Sequence, residues 1–441
     1  MENKKTIVEP TILSGFMELL PAEQIVFNRM LDTIKNTYES FGFVPIDTPV
    51  IERSDVLLAK SGGDTAKQVY RFNKGDNDLS LRFDLTVPLA RFVSMHYGEL
   101  TFPFRRYHIG KVYRGEKPQK GRFREFYQCD IDIIGNGSLA IINDAEIVSV
   151  IYATFKNLGF DDFTIMINNR KLLSGFFANY GVTDATEVLR EVDKLDKVGE
   201  AVVREQLEKL GMSAEGVDAT MKLAALMGKP AEIISTLKTW EIDNETFRTG
   251  IEELETVCNA INALGVPEEY FRLNLKIARG LDYYTGTVYE TVFNSHPELG
   301  SVCSGGRYDE LASNYTHQSL PGVGISIGLS RLFYQLNESG MLEEGKRATP
   351  TDVLVVPMDD TMEYALRVST EMRGAGLRVE TYLNGGKMGK KLNYANKLGI
   401  PYVAVCGGSE AETGTVMLKN MTTGEQENLP ASIAALKIKL N

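Results

Sequence analysis

The sequence of residues 111–135 (KVYRGEKPQKGRFREFYQCDIDIIG) can fold in few ways. A turn separates a first arm rich in basic residues from a second arm in which apolar and polar residues alternate. Pro118 and Gly121 bound a segment that has the composition of a turn. Residues 126–133 then alternate apolar and polar side chains, which predicts a strand with one polar face. Together, the two patterns predict a β-hairpin.

The charge of this hairpin is opposite to that of the whole chain. Residues 111–125 contain six Lys/Arg and two Glu, a local net charge of +4, whereas the chain of 441 residues has a formal net charge of -11. A solvated basic hairpin would explain these cations alone. The predicted polar face, however, carries Gln128, Asp130 and Asp132, and carboxylates within an apolar sheet need a partner or a ligand. We therefore expect an anionic ligand beside the basic residues.

Three further segments combine glycine or carboxylate with arginine. Residues 81–86 (LRFDLT) alternate apolar and polar side chains before a helix that begins near a proline. This alternation would put Arg82, Asp84 and Thr86 on one face. A purely structural explanation of the same residues is a cross-strand ion pair and a helix N-cap. Residues 276–293 predict a turn and then a strand, and residues 304–309 a glycine turn with close backbone approach. Residues 321–328 predict a glycine-rich strand that leads into a helix carrying Arg331, with glycine spacing unlike that of a dinucleotide fingerprint.

These segments resemble the signature motifs of class II aminoacyl-tRNA synthetases, in the form found in the histidyl-tRNA synthetase family. Residues 111–135 resemble the second class signature and residues 321–332 the third. Residues 278–290 (ARGLDYYTGTVYE) and 304–309 resemble the two histidine-specific signatures. The helix predicted from Pro21 and the extended edge strand after it, which closes at Pro49, resemble the first signature, which builds the dimer interface. The similarity spans nearly the whole chain.

The resemblance implies an α+β fold: an antiparallel class II sheet with flanking helices, a helical insertion and a C-terminal α/β anticodon-binding domain. The length independently predicts two or three domains. We expect a catalytic domain at residues 1–342, interrupted by the insertion at about 170–270, and an α/β domain with a largely parallel sheet at residues 350–441. Helical spacing in the insertion is visible at Leu189, Val192, Leu195 and Val198.

The implied activity is that of a histidine–tRNA ligase. It would activate L-histidine with ATP to histidyl-adenylate and transfer the histidyl group to the 3′ end of tRNA(His). Mg²⁺ would neutralise the β- and γ-phosphates. The resemblance also implies a homodimer, and in the family the helical insertion approaches the acceptor arm of the tRNA.

The resemblance assigns side chains to each substrate. Arg114 and Arg279 are the expected catalytic residues, because they would stabilise charge that develops at the α-phosphate. The expected histidine-binding residues are Asp84, Leu85, Thr86, Arg114, Gln128, Asp132, Arg279, Tyr283 and Tyr284. The expected ATP-binding residues are Arg114, Glu116, Arg122, Phe126 and Arg331, with Phe126 stacking on adenine. The expected tRNA-binding residues are Gln119, Lys387, Lys390, Lys391 and Lys397, although a solvated helix face is the simpler explanation for four lysines.

Composition excludes several other classes. The four cysteines, at positions 129, 258, 303 and 406, show neither disulfide nor zinc-ligand spacing, which fits a reducing cytoplasm. The first residues have no apolar signal-like segment, and no run is long enough to span a membrane. The acidic balance argues against a DNA-binding protein, so any RNA contact must rest on local basic patches.

Two alternatives keep the same fold. One is a non-catalytic, synthetase-like regulatory subunit of histidine biosynthesis, a class that usually lacks the C-terminal domain and several motif residues. The other is a histidine-sensing module with a degenerate site. The presence of Arg114, Arg279 and Arg331 argues against both, and histidine-dependent pyrophosphate exchange would separate all three.

Overall fold

The structure is a computed structural model that describes residues 8–59, 63–117, 121–182, 185–192, 194–277, 284–342, 347–358 and 360–440. It forms two compact units. The first comprises Met1–Met17 and Leu31–Ser339, and the second comprises Glu18–Met30 and Gly340–Asn441. Gln119, Arg279 and Tyr283 lie outside the described residues, so the roles predicted for them stay predictions.

An eight-stranded sheet forms the centre of the described part of the first unit, in the order β1-β5-β6-β11-β10-β9-β7-β8. Its strands are β1 (Val44–Pro45), β5 (Phe104–Tyr113), β6 (Glu125–Ile134), β7 (Phe163–Asn169), β8 (Phe271–Leu273), β9 (Thr287–Phe293), β10 (Cys303–Tyr308) and β11 (Gly322–Ile327). The inner pairings are antiparallel, and the two edge pairings, β1 with β5 and β7 with β8, are parallel. The predicted α+β class and antiparallel sheet are confirmed.

The predicted hairpin is the pair β5–β6. Its register runs from Phe104 opposite Ile134 to Tyr113 opposite Glu125. Side chains alternate between the two faces of a strand, so residues 126, 128, 130 and 132 share one face with their cross-strand neighbours. The connecting segment at residues 118–120, where a turn is predicted, lies outside the described residues.

A small sheet precedes the hairpin, and here one expectation is wrong. Its order is β2-β4-β3, with β2 at Ile51–Arg53, β3 at Arg71–Lys74 and β4 at Asn77–Leu81. Strand β4 ends at Leu81, so Arg82, Asp84 and Thr86 do not share a strand face. The chain turns into helix α4 (Thr86–Met95) because the Asp84 carboxylate accepts hydrogen bonds from the backbone N–H groups of Thr86 and Val87, at 3.1 and 2.9 Å.

Helices cover the sheet and form the insertion. The first unit contains α1 (Pro21–Ser40, whose first residues belong to the second unit), α2 (Ser54–Leu57), α3 (Gly63–Gln68), α4, α5 (Ile142–Asn157), α6 (Arg170–Asn179), α7 (Thr186–Val192), α8 (Leu195–Val198), α9 (Glu200–Lys209), α10 (Ala214–Ala225), α11 (Pro230–Lys238), α12 (Glu245–Ala263) and α13 (Leu329–Glu338). Residues 170–263 are thus largely helical, as predicted. The apolar spacing from Leu189 to Val198 does not mark one continuous helix, since α7 ends at Val192 and α8 begins at Leu195.

Two further expectations need correction. The predicted extended segment after α1 forms a strand only at Val44–Pro45, and as expected it lies at the edge of the sheet. Residues 304–309 do not form a turn. Residues 304–308 belong to β10, where Gly305 and Gly306 pair with β9 on one side and β11 on the other. The predicted close backbone approach is present, because a Cβ on Gly305 would lie 2.1 Å from the Gly324 carbonyl oxygen.

The second unit contains a five-stranded sheet within its described residues, in the order β13-β12-β14-β15-β16. Its elements are β12 (Val353–Pro357), α14 (Met362–Gly374), β13 (Val379–Thr381), α15 (Met388–Leu398), β14 (Tyr402–Cys406), α16 (Gly408–Thr413), β15 (Thr415–Asn420), β16 (Gln426–Pro430) and α17 (Ala431–Leu440). The pairings of β12 with β13 and β14 are parallel, and those of β15 with β14 and β16 are antiparallel. The sheet is therefore mixed rather than largely parallel.

All four cysteines lie in the described part of the chain, and each is a buried free thiol. Burial raises the pKa of the Cys258 thiol to about 12. Among the described residues, no helix combines the length and the apolarity that crossing a bilayer requires.

Candidate active site

A cavity of about 480 Å³ opens over the polar face of the hairpin. Ten of the described side chains predicted for histidine or ATP line it: Asp84, Thr86, Arg114, Glu116, Arg122, Phe126, Gln128, Asp132, Tyr284 and Arg331. Four segments far apart in sequence supply them, so the sheet brings the predicted site together. Leu85 is the exception, because its side chain is fully buried and does not line the cavity.

Three carboxylates lie on one wall of the cavity. Asp84, Asp130 and Asp132 are all buried, at 6%, 2% and 4% exposure. Burial raises the pKa of Asp130 to about 7 and that of Asp132 to about 6, and Arg106 opposes both shifts. Burial also raises the pKa of Asp84, against the hydrogen bond from Val87 N–H. This wall can hold a cationic amine or the N–H donors of a ring.

Asp132 has two strong partners at the floor of the cavity. Tyr308, on β10, donates its hydroxyl hydrogen bond to Asp132 Oδ1 at 2.6 Å. Arg106, on β5 directly opposite Asp132, forms an ion pair with the other carboxylate oxygen. Asp132 is therefore fixed in orientation before any ligand enters.

Gln128 and Asp130 share a neighbour on β11. Gln128 Nε2 donates to the Ser326 hydroxyl oxygen at 2.7 Å. Ser326 lies opposite Asp130 in the strand register, and its hydroxyl lowers the pKa of Asp130, against the larger effect of burial. Asp130 Oδ1 has no hydrogen-bond partner among the described residues.

Arg114 lies at the centre of the cavity, between two aromatic rings. Its guanidinium carbon is 4.4 Å from the centroid of Phe83 and 5.1 Å from that of Phe126, and Nε donates to the Phe83 carbonyl at 3.3 Å. Cation–π contacts of this kind help to hold a guanidinium in place. Phe126, predicted to stack on adenine, thus also supports Arg114.

Arg122 and Arg331 also line the cavity and are close to each other. Arg331, in the first turn of α13, donates to the Leu299 carbonyl at 2.9 Å. Burial lowers the pKa of Arg331, and the nearby Arg122 adds to this effect. Glu116 lies 3.8 Å from Arg122. These arginines around one opening provide a site for a polyanion such as a nucleoside triphosphate.

Two glycines of β11 have protein groups close beside them: a Cβ on Gly322 would lie 2.5 Å from the Tyr308 ring, and one on Gly324 would lie 2.2 Å from Asp132 Oδ1. These glycines therefore make room for the Tyr308–Asp132 pair. Gly324 and Gly328 also line the cavity, and a Cβ on Gly328 would meet only the Arg331 Cβ, at 3.9 Å.

The lysines of the second unit do not all have the same environment. Lys387, Lys390 and Lys397 are exposed on or beside α15. Lys391 is 6% exposed, and its ammonium donates to the Pro357 carbonyl at 2.6 Å. Because its charge is used inside the domain, Lys391 is separate from the exposed basic surface, contrary to our expectation of one four-lysine patch.

Sequence reasoning missed several residues of this site, above all Arg106, Tyr308 and Ser326. It placed Asp130 on the polar face with Gln128 and Asp132 but gave it no role in binding. Tyr308 is within a segment that was noticed only for its glycines. Arg106 and Ser326 carry no local signal, since only strand register brings them to the cavity.

The sequence and the fold match known proteins over both units. The sequence model described as histidyl-tRNA synthetase matches residues 15–332, and the one described as anticodon binding domain matches residues 352–440. The chain is 58% identical over 436 residues to the histidine–tRNA ligase of Clostridium tetani, covering 99% of each chain.

Two solved structures extend the comparison. The crystal structure of histidyl-tRNA synthetase from Nostoc sp. PCC 7120 has a TM-score of 0.92 and 40% identity, covering 98% of this chain and all of that one. An ATP phosphoribosyltransferase regulatory subunit/histidyl-tRNA synthetase from Bacillus halodurans shares the fold, with a TM-score of 0.75, 22% identity, and coverage of 92% and 100%. Because the sequence model matches residues 15–332 and a relative is 58% identical over nearly the whole chain, the chain belongs to the histidyl-tRNA synthetase family.

Proposed function

We propose that this chain activates L-histidine with ATP and then transfers the histidyl group to the 3′ end of tRNA(His). The observation that carries the proposal is the charge of the cavity lining, which combines buried carboxylates with several arginines. An amino acid with a cationic amine and a nucleotide with a polyphosphate would complement these two kinds of charge.

In the first step, a histidine carboxylate oxygen attacks the α-phosphorus of ATP, and the bond to the leaving pyrophosphate breaks. Arg114 is held between two rings and would stabilise the negative charge that develops on the phosphoryl oxygens. Arg279, which lies outside the described residues, is proposed to act on the same phosphate and on the carboxylate. Glu116, Arg122, Phe126 and Arg331 are proposed to bind the nucleotide.

Histidine specificity is proposed to rest on Asp132, with Tyr283 and Tyr284. Asp132 is oriented by protein groups and faces the cavity, so it can accept an N–H from the imidazole ring. The ammonium group would bind near Asp84, Thr86 and Gln128. A buried polar site of this kind rejects look-alike substrates strongly, because they would leave its groups without partners.

Mg²⁺ is proposed to arrive with ATP. Among the described residues, no cluster of three or more His, Cys, Asp or Glu side chains could hold a metal ion. Mg²⁺ commonly binds through substrate phosphates and only one or two carboxylates, so the cavity does not need such a cluster. When bound, it would neutralise charge on the β- and γ-phosphates.

We propose that the second unit binds tRNA. The anticodon-binding sequence match and the exposed Lys387, Lys390 and Lys397 support this assignment. Gln119, outside the described residues, is proposed to contact the acceptor end. The two sequence matches also support domain boundaries at residues 1–342, with the helical insertion at about 170–270, and 350–441.

A homodimer and a cytoplasmic location complete the proposal. Strand β1 forms one edge of the main sheet and leaves Val44 48% exposed, which suits an interface in the first signature region. The four free thiols suit a reducing compartment. Light scattering on the purified protein tests the dimer: a monomer at micromolar concentration would contradict it.

The experiment that tests the activity is ATP–pyrophosphate exchange with each amino acid in turn. We expect exchange with histidine and with no other common amino acid. Charging of tRNA(His) should follow in the complete reaction. Histidine binding without any exchange would instead support the sensing or regulatory alternatives, and equal exchange with another amino acid would reject the histidine assignment.

A further inference from the structure

Arg106 is the largest fully buried side chain of the described residues, and it belongs to none of the segments that carry the family resemblance. It lies on β5 and has an exposure of 0%. An arginine keeps its charge inside a protein, so burying one is costly unless its guanidinium is paired. The groups that pair with the Arg106 guanidinium therefore indicate the function of this residue.

The guanidinium of Arg106 contacts two segments whose side chains line the cavity. It forms the ion pair with Asp132, and NH1 lies 3.4 Å from the Asp130 carbonyl oxygen. NH2 also lies 3.5 Å from the carbonyl oxygen of Leu85. Leu85 is between Asp84 and Thr86, the proposed ammonium site, whereas Asp132 is the proposed ring site. A single planar cation thus links the two parts of the amino-acid pocket.

We propose that Arg106 is a positioning residue for the amino-acid substrate: it holds Asp132 as an ionised acceptor for the ring and sets the spacing between the ring site and the ammonium site. This inference rests on the proposed function. Arg106 would not touch the substrate itself, because Asp132 and the segment at Leu85 lie between them.

The charges around Asp132 explain why this support is needed. Asp130 on the same strand and Asp84 before α4 are also acidic, Tyr308 on β10 is a neutral donor, and the facing residue on β11 is Gly324. Arg106 is the cation that opposes the upward shift of the Asp132 pKa, which burial drives. Without Arg106, Asp132 would hold its proton to a higher pH and would no longer accept a ring N–H at neutral pH.

Two substitutions separate the two functions. In Arg106→Gln, both charge and linkage are lost, and we expect the KM for histidine to rise roughly 10- to 100-fold, with the KM for ATP changed less than about threefold. In Arg106→Lys, charge is kept but a point charge cannot reach all three acceptors, and we expect a smaller rise of about 3- to 10-fold. The Kd for histidine, measured by calorimetry without ATP, should increase in the same order, from the wild type to Arg106→Lys to Arg106→Gln.

Arg105→Gln is the matched control. Arg105 is the adjacent residue on β5, faces the other side of the sheet, and pairs with Glu146 at 2.7 and 2.8 Å. This variant should lose stability but keep the histidine KM. If Arg105→Gln and Arg106→Gln raise the histidine KM equally, Arg106 has only a structural role.

The pH dependence supplies a second readout. Histidine binding should weaken as the pH falls through the Asp132 pKa of about 6, and in Arg106→Gln this midpoint should move to higher pH. The titration of free histidine is common to all variants and cancels in the comparison. In Arg106→Lys the midpoint should stay near that of the wild type.

Each outcome decides a separate point. An unchanged midpoint in Arg106→Gln overturns the electrostatic part of the proposal, and a wild-type histidine KM in Arg106→Lys overturns the spacing part. If Arg106→Gln does not fold, Arg106→Lys alone still tests the spacing. A wild-type protein without histidine-dependent exchange would refute the proposed function instead, which keeps the two failures distinct.

Discussion

The Tyr308 hydroxyl donates a 2.6 Å hydrogen bond to Asp132, and both side chains are buried in the floor of the cavity. The two residues are 176 positions apart in sequence, and Gly322 and Gly324 on the strand between them provide the space for the contact. The hydrogen bond stabilises the charged form of Asp132 and lowers its pKa, against the larger effect of burial. Histidine recognition should therefore depend on a tyrosine that need not touch the substrate.

Tyr308→Phe tests this relationship. The substitution removes one donor to Asp132 and keeps the ring that packs beside Gly322. Losing a hydrogen bond to a charged group costs about 1.5 to 3 kcal/mol, so the KM for histidine should rise at least about 10-fold. Tyr289→Phe is the control, because its buried hydroxyl donates to the Asp144 carbonyl outside the cavity, at 2.9 Å. Equal histidine KM values in the two variants would show that Tyr308 does not support the pocket.

The stability of the ligand-free protein should fall as the pH rises from about 4 to about 7. Burial raises the pKa of Asp130 to about 7 and of Asp132 to about 6, so these two carboxyl groups bind more protons in the folded state than in the unfolded chain. Burial also lowers the pKa of His108 to about 3, which opposes this effect, but the two carboxyl groups outweigh the single histidine. Stability then decreases with increasing pH, with a slope given by the difference in bound protons. The melting temperature measured across this range checks the sign. A melting temperature that rises steadily from pH 4 to pH 8 would contradict it.

Asp130→Asn should weaken that dependence. The amide cannot ionise, so the cost of a buried carboxylate next to Asp132 disappears at high pH. We expect the variant to melt roughly 2 °C or more above the wild type at pH 8, and to lose that advantage at pH 5. Asp76→Asn, at an exposed turn position, should shift the melting temperature equally at both pH values.

Arg114→Lys should impair activation more than substrate binding. A lysine keeps the charge but cannot stack between Phe83 and Phe126 or present a planar pair of donors. Removing one preorganised donor to a developing oxyanion typically costs about 10²- to 10³-fold in rate. We therefore expect kcat for pyrophosphate exchange to fall by about that factor. Arg91→Lys, at a half-buried ion pair with Glu52, is the control and should keep kcat. A rise in the KM values with an unchanged kcat would place Arg114 in binding rather than in activation.

The three exposed lysines should contribute to tRNA affinity through salt-dependent contacts. Replacing Lys387, Lys390 and Lys397 together by alanine should raise the KM for tRNA and leave pyrophosphate exchange unchanged. If all three contact phosphates, the slope of log affinity against log salt should decrease in magnitude by about 2 to 3. An unchanged slope would remove this surface from the tRNA interface.

Lys391→Ala provides the contrast. Lys391 donates to the Pro357 carbonyl inside the domain, so its loss leaves a buried acceptor unpaired and should cost about 1 to 3 kcal/mol of stability. Its effect on tRNA charging should follow the fraction of folded protein. Thermal unfolding and the salt dependence of tRNA affinity should be measured on Lys391→Ala and on the triple lysine variant. These measurements separate a lysine that stabilises the domain from lysines that bind tRNA.

The sequence alone determined the hairpin, the helical insertion and most of the lining of the cavity. Alternation from Tyr127 to Ile133 specifies a strand and its polar face, because a strand repeats every two residues whatever surrounds it. Local patterns drew attention to Arg114, Gln128 and Arg331, and the resemblance to the family signatures assigned them, together with Asp84, to the site. These features depend on residues close together in the chain.

Tertiary structure decided which side chains meet and which charges remain available. Arg106 reaches Asp132 through the register of β5 against β6, and Tyr308 reaches it across β11. No local pattern encodes a register between distant strands, since it is set by the packing of the whole sheet. Lys391 makes the same point in the second unit: its spacing matches that of its exposed neighbours, and only the fold places its ammonium against the Pro357 carbonyl.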